Sequence, residues 1–229
     1  MWEVFGYVLE IRTQVWPTPS RVLLEAAREG PLLLHHGLFT LYEILAGFLL
    51  GASLILPAGM IAAAYPSFSR KALPFFRFSQ SLPIIVVAPL FMVWFGYGML
   101  PKILLASLLS AFPIASGTLE GMTSIRPEML ELARSMGAGH IQTFLKIQMP
   151  ASLPHIFRGL KLAATLSVVG VTVGEFIGAE TGLGHLLLAA NSSLNTPLLV
   201  AAMSIIILIG IVLHYGIRAL ERMFIPWSP

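Results

Sequence analysis

Long uncharged stretches alternate with short polar ones along this chain, and the stretches are apolar on every side rather than on one face. Gly37 to Ala64 carries only Glu43; Ser81 to Pro101 and Ile103 to Leu119 carry no charge. Leu160 to Ala179 holds Lys161 at its start and Glu175 near its end, and Pro197 to Ile217 contains only His214. A spanning helix needs about 20 mostly apolar residues, because the hydrocarbon layer is about 30 Å thick and each residue rises 1.5 Å. The pattern predicts an all-α, polytopic membrane protein with about five transmembrane helices. Five spans place the chain ends on opposite sides.

Composition supports a lipid solvent. Of 229 residues, 56% are hydrophobic and 11% charged, against a charged share of about 25% in soluble domains. A soluble domain of this size would leave too much apolar surface in water. There is no cysteine and no aspartate, which excludes thiolate nucleophiles, cysteine zinc sites, aspartyl-phosphate chemistry and EF-hand loops. No GxxxxGK[ST] or GxGxxG run occurs, so the chain brings no phosphate-cradling loop. The net charge of +3 comes from basic residues scattered between apolar stretches, which read as topology signals and not as a nucleic-acid surface.

Lys and Arg near span ends stay cytoplasmic. With the N-terminus outside, the inner segments hold Arg70, Lys71, Arg77, Arg126, Arg134, Lys146, Arg158, Lys161, Arg218 and Arg222, and the outer ones Arg12, Arg21, Arg28 and Lys102. Ten against four orients the chain with its N-terminus external and its C-terminus cytoplasmic, and puts 120–161 in the cytoplasm. Residues 1–34 form an external or interfacial segment, and 35–225 the transmembrane domain. Met1 to Ile11 has no basic n-region and no small-residue cleavage site, so neither a signal peptide nor a further span is expected. Ser20 is placed to cap a short helix over Arg21 to Glu29, ending at Gly30 and Pro31. Pro57, Pro83, Pro89, Pro113, Gly47, Gly51 and Gly59 lie within the spans, where close helix packing explains them more readily than gating.

The polar interruption reads as helix, glycine corner, helix. Pro127 suits a first helical turn, Glu128 and Glu131 complement its positive end, Arg134 lies near its other end, and Gly137 is placed to stop it. A second helix follows from His140 to Gln148 and stops before Pro150. Met129, Leu130, Ala133 and Met136 share a face of the first helix. That face either packs on the protein's own spans or docks another protein as a helix in a groove.

The residues Glu131-Leu132-Ala133, then three, Gly137, then nine, Ile147-Gln148-Met149-Pro150 resemble the EAA loop of ABC importer permeases, with Leu132 and Met149 as mild departures. Leu82-Pro83, Ala88-Pro89-Leu90, Trp94-Phe95-Gly96-Tyr97-Gly98, Phe112-Pro113, Gly174-Glu175-Phe176-Ile177-Gly178-Ala179 and Gly182-Leu183-Gly184 extend the resemblance to the nitrate, sulfonate and taurine group over Thr18 to Glu221. It implies a type I importer subunit in a bacterial inner membrane, without chemistry of its own. Two permease chains pair, here as a homodimer, and each presents a coupling helix, about Glu128 to Gly137, to a groove in a separate ATP-binding subunit. ATP and Mg2+ belong to that subunit, and no cofactor to this chain. A periplasmic or lipid-anchored binding protein delivers the solute. Two other classes fit less well. An intramembrane enzyme would show GxSxG, HExxH, an Asp pair or a cysteine, and an ion-gradient transporter two related halves.

Charges at membrane depth face a partner or a watery path. Glu43, six residues into its span, either contacts solute or bonds locally. Glu175 is expected to cap loop amides around Gly178. Gln80, Ser81, Trp94 and Asn191 could line a path, though interfacial anchoring equally explains Trp94. His35 and His36 are adjacent and cannot form an i, i+4 metal pair. The family resemblance leaves the solute between a sulfonate, taurine or nitrate anion and a pyrimidine- or riboflavin-like vitamin precursor, with Glu43 leaning to the latter.

The topology has a direct test in a chain free of cysteine. Gly139→Cys should resist a membrane-impermeant thiol reagent applied to intact cells and react once the cells are opened; strong labelling from outside inverts the orientation.

Overall fold

The computed structural model describes residues 3, 16–63, 71, 74, 76 and 83–225. The first helix, α1, covers Pro19–Arg28, with Thr18 at its N-cap and Pro19 in the first turn. Proline at that position has the helical φ already and lacks an N–H that the helix would leave unpaired, so the helix starts before Ser20, which makes no cap. Gly30 and Pro31 do not end the helical chain either. They open α2, Gly30–Ala63, because a first-turn proline breaks no hydrogen bond. The first span therefore starts seven residues earlier than expected, and α2 runs across residues 34–35. Glu43 lies thirteen residues in, about 20 Å along the axis, and not near an end.

Pro83 precedes α3, Ile84–Phe95, a 12-residue helix about 18 Å long. It ends at Gly96, where φ is +78°, a backbone conformation that stops a helix. Over its described residues the expected second span, Ser81 to Pro101, is thus a short apolar helix, a turn and the first residues of the next helix. Then come α4, Met99–Thr123, α5, Pro127–Ser135, and α6, His140–Thr143. A π-helical stretch, Phe144–Gln148, leads into α7, Met149–Gly178, followed by α8, Leu183–Ser192, and α9, Thr196–Phe224. Among the described residues, four helical segments have the length and apolarity to cross a membrane: α2, α4, the run His140–Gly178 and α9. The opposite-ends expectation rested on five.

The second short helix does not stop before Pro150. Helix is continuous from His140 to Gly178 because the wide π turn lies where the proline ring would meet Lys146's carbonyl, four residues back.

The chain groups into two compact units, Met1–Gly47 with Ile84–Ala106 and Val168–Val212, and Phe48–Pro83 with Ser107–Ser167 and Leu213–Pro229. In the first, Val22, Leu33, Leu183, Leu186, Leu198 and Ala202 form one apolar cluster, and Ala88, Met92 and Leu105 another. In the second, Phe157, Ala164, Ile217 and Ile225 pack together, as do Ala52, Ile114 and Ala163, and Lys161 pairs with Glu221 at 2.8 Å. Most of the apolar surface of α9 lies outside these cores: Met203, Ile207, Leu208, Ile211 and Val212 are all exposed. Such a surface belongs against lipid or another chain.

Within the second unit α4 and α7 touch backbone to backbone. A Cβ on Gly117 would stand 2.6 Å from the His155 carbonyl oxygen, and one on Gly159 2.5 Å from that of Pro113. Small residues at such a crossing replace the hydrophobic drive that lipid removes. Gly159→Leu should therefore lower stability by about 2 kcal/mol, in the range of overpacked cores. Thermal unfolding in detergent reads this, and an unchanged melting temperature contradicts the crossing.

Candidate functional site

Two arrangements hold the chemistry, one in each unit. The first is a set of buried polar side chains gathered at the start of α8. The first N–H groups of a helix have no partner within it. Here Gly182 N–H donates to His36 Nδ1 at 2.9 Å, Leu183 N–H to Thr40 Oγ1 at 2.8 Å, and Gly184 N–H to Glu175 Oε2 at 2.6 Å. The Thr40 hydroxyl donates in turn to Glu175 Oε1 at 2.6 Å. His36 and Thr40 stand one turn apart on α2, so one helix face supplies two of the acceptors, and α7 supplies the third. His36 accepts through Nδ1, so its ring proton sits on Nε2, and the ring stacks on His185 with centroids 6.2 Å apart.

Gly182 has φ +116°, which a side chain rarely adopts, and a Cβ there would overlap the Glu175 carboxylate. A Cβ on Gly184 would stand 2.8 Å from that of Glu175. Glu175 does cap amides, as expected, but Gly184's and not those around Gly178, which is the last residue of α7.

Glu43 finds its partner on α4. Lys102, 2% exposed, forms an ion pair with Glu43, which is fully buried. Lys102 was expected in an outer loop as a topology signal; instead it occupies the fourth position of α4. The sequence held one hint, a lysine directly after Pro101 where a span was due to begin. The structure thus gathers Glu43, Lys102 and Glu175, with Thr40 and His36. It leaves Trp94 and Asn191 exposed at helix ends, and Gln80 and Ser81 lie outside the described residues.

The second arrangement is the corner between α5 and α6. Met136 N–H bonds to the Leu132 carbonyl at 3.0 Å, Gly137 N–H to that of Arg134 at 2.9 Å and Ala138 N–H to that of Ala133 at 3.0 Å, with Gly137 at φ +80°. This is the Schellman ending, which needs a residue without Cβ at the left-handed position. Thr143 Oγ1 donates to the Gly139 carbonyl at 3.1 Å, tying the start of the second helix. Ala133 and Thr143 are the buried residues of the two short helices. Exposed instead are Met129 at 45%, Leu132 at 62%, Met136 at 79% and Ile141 at 75%. A cavity of about 450 Å3 opens beside them, lined by Met129, Leu132, Met136, Lys146 and Ile147. Glu128, Glu131 and Arg134 are exposed, and Leu130, Ile147 and Pro150 half-buried. Leu132 and Ile141 were not among the expected face residues. Leu132 was seen only as a departure from alanine, although its spacing from Met129 and Met136 puts all three on one stripe.

The model of the family described as "Binding-protein-dependent transport system inner membrane component" matches residues 55–226. The formylaminopyrimidine transport permease of Halalkalibacterium halodurans is 30% identical over 228 residues, covering 99% of this chain and 91% of the relative. The aliphatic sulfonates permease of Bacillus subtilis, itself named as putative, is 30% identical over 230 residues, with 99% and 83% covered. In structure the chain is similar to a chain of the MetNI methionine ABC transporter in an inward-facing conformation, with a TM-score of 0.70 and 20% identity over 86% of this chain and 98% of that one. That likeness extends to the fold alone.

The buried pair generates a stability test. Lys102→Met strands the Glu43 carboxylate and should cost about 3–5 kcal/mol, whereas Lys102→Met with Glu43→Gln, which removes both charges, should recover most of it. Thermal unfolding of the purified protein in detergent reads both. Equal loss in the single and the double variant means that the pair is not what holds α2 to α4.

Proposed function

We propose, starting from the premise that this chain belongs to the binding-protein-dependent transport family and is an ABC importer permease of the sulfonate and taurine group, that its α5–α6 corner is where a separate ATP-binding subunit engages. The observation that carries this reading is the exposure of Met129, Leu132 and Met136 on a short helix outside the long apolar segments, and of Ile141 just past the Gly137 turn. A monomer rarely leaves four large apolar side chains together in water, and an amphipathic helix end of this kind fits an apolar groove. Glu128, Glu131 and Arg134 form a charged rim that sets the register of docking. Ala133 is buried within the corner, so it shapes the docking face without meeting the groove. Ile147 and Pro150 stand where the corner joins α7.

In this reading ATP and Mg2+ bind the partner subunit, closure of that subunit moves the corner, and the motion reaches the spanning helices. A periplasmic or lipid-anchored binding protein delivers a small organic solute or anion from the outer side. Relatives named for formylaminopyrimidine and for aliphatic sulfonates support a solute that is either an aminopyrimidine-like vitamin precursor or a sulfonate. A second copy of this chain completes the route, and its apolar contact is available on the exposed surface of α9. The corner faces the cytoplasm, as the flanking Arg126, Arg134, Lys146 and Arg158 favour.

Met136→Glu and Leu132→Glu place charge on the docking face without touching Ala133 or the Schellman turn. Each should lower binding-protein-stimulated ATP hydrolysis about tenfold, the equivalent of 1.4 kcal/mol of lost docking, while the permease still inserts. Gly137→Val should do the same by straining the turn, at a cost of about 1 kcal/mol. Full ATPase recruitment and hydrolysis in both glutamate variants contradicts the assignment.

A further inference from the structure

In the first unit an apolar groove of about 370 Å3 runs along α2 beside α9, with Gly30, Leu34, Gly37, Leu38 and Ile205 among its lining residues. Its floor contains two glycines. A Cβ on Gly30 would meet nothing within 4 Å, and one on Gly37 only Ile205 Cγ2 at 3.8 Å, unlike Gly182 and Gly184, where a Cβ would run into Glu175. Close packing within the chain therefore does not call for glycine at 37, although glycine weakens a helix interior relative to alanine. The groove also has a defined length. It opens where the spanning helix starts, at Gly30, and its lining stops at Leu41, eleven residues on and about 16 Å along the axis. Half of the hydrocarbon layer is about 15 Å deep. A groove of that length accepts an acyl chain from one leaflet, whereas a helix of a second copy would cross both leaflets and need the groove to continue. Basic side chains stand at its mouth. Arg28 lies midway in sequence between Ala26 and Gly30, which both line the groove, and it shares an exposed stripe of α1 with Leu24 and Arg21. Neither arginine has a carboxylate within 4.0 Å among the described residues. Glu25 falls on a separate edge of α1, where it accepts from Asn195 Nδ2 at 2.8 Å.

We propose that this groove is a binding site for an anionic phospholipid, with one acyl chain lying between α2 and α9 and the headgroup held by Arg28 and Arg21. A guanidinium meets a phosphate through paired N–H bonds, and a basic helix edge with leucine beside it suits the boundary between headgroups and hydrocarbon. A zwitterionic lipid fills the same groove but brings an ammonium that the two arginines repel. Such a site needs neither the importer reading nor a choice of membrane side.

The experiment uses the full chain in nanodiscs that mix phosphatidylcholine with phosphatidylglycerol. Leu34→Cys, at the exposed rim of the groove, gives the otherwise cysteine-free chain a single thiol for a bimane label, which brominated acyl chains quench on contact. Brominated phosphatidylglycerol should compete for this position about tenfold better than brominated phosphatidylcholine. Adding Arg21→Gln and Arg28→Gln should bring the two lipids level while both still quench. Gly37→Leu, for which the structure has room, should fill the groove and cancel the preference with both arginines in place. Equal quenching by the two lipids in the chain that keeps its arginines and Gly37 would reduce the groove to ordinary lipid contact and overturn the proposal. Quenching by neither lipid would mean that a protein surface, such as a second copy, covers the groove, and would overturn it as well.

Discussion

A helix begins with N–H groups that its own backbone cannot satisfy, and where that start is buried no water stands in for the missing acceptors. Much of the first unit follows from meeting that need for one short helix. The amides opening α8 are met by His36, Thr40 and Glu175, from two different helices. Each acceptor must reach past the chain that turns into α8, and it can do so only if that chain has no side chains in the way. The glycines at 182 and 184 are therefore part of the hydrogen bonding, although they bond only through backbone. A carboxylate is also the favoured acceptor at the positive end of a helix, so the charge of Glu175 and the direction of α8 specify each other.

That solution leaves a second buried carboxylate, Glu43, to be met separately, and Lys102 meets it. Taking two charges out of water costs more than a surface pair returns, so such a pair is better understood as a constraint on geometry than as a source of stability. A polar group with only one acceptable partner admits only one register between α2 and α4. Apolar side chains alone would tolerate several, since in lipid the helices gain little by hiding Leu from Leu.

What could be read in advance depended on how local the cause was. The α5–α6 corner was legible because Pro127, Gly137 and their spacing act within a few residues of themselves. Four long helices were legible because lipid imposes their length. Their starts were not: Gly30 and Pro31 look like a stop, yet proline is harmless in a first turn, and nothing local decides between the two outcomes. The 12-residue α3 was overcounted for a related reason, because apolarity continues through the Gly96–Gly98 turn while helical geometry does not. Lys102 was misplaced because its role depends on a residue 59 positions away in sequence, which no periodicity can reveal. The α8 capping set lay in plain view as Glu175 and the Gly182-Leu183-Gly184 run, but without the fold the amides it serves could not be identified.

The π-helical stretch Phe144–Gln148 carries a consequence for how such a corner changes over time. A π turn takes up one extra residue within an α-helix as a single wide turn, so the direction of the α5–α6 corner is kept while the Pro150 ring is spared the carbonyl four residues back. Deleting one residue here would restore plain α-helical spacing and bring that ring against the preceding turn. The bulge and the proline are therefore gained or lost together, and a lineage that changed one without the other would kink the helix between the corner and α7.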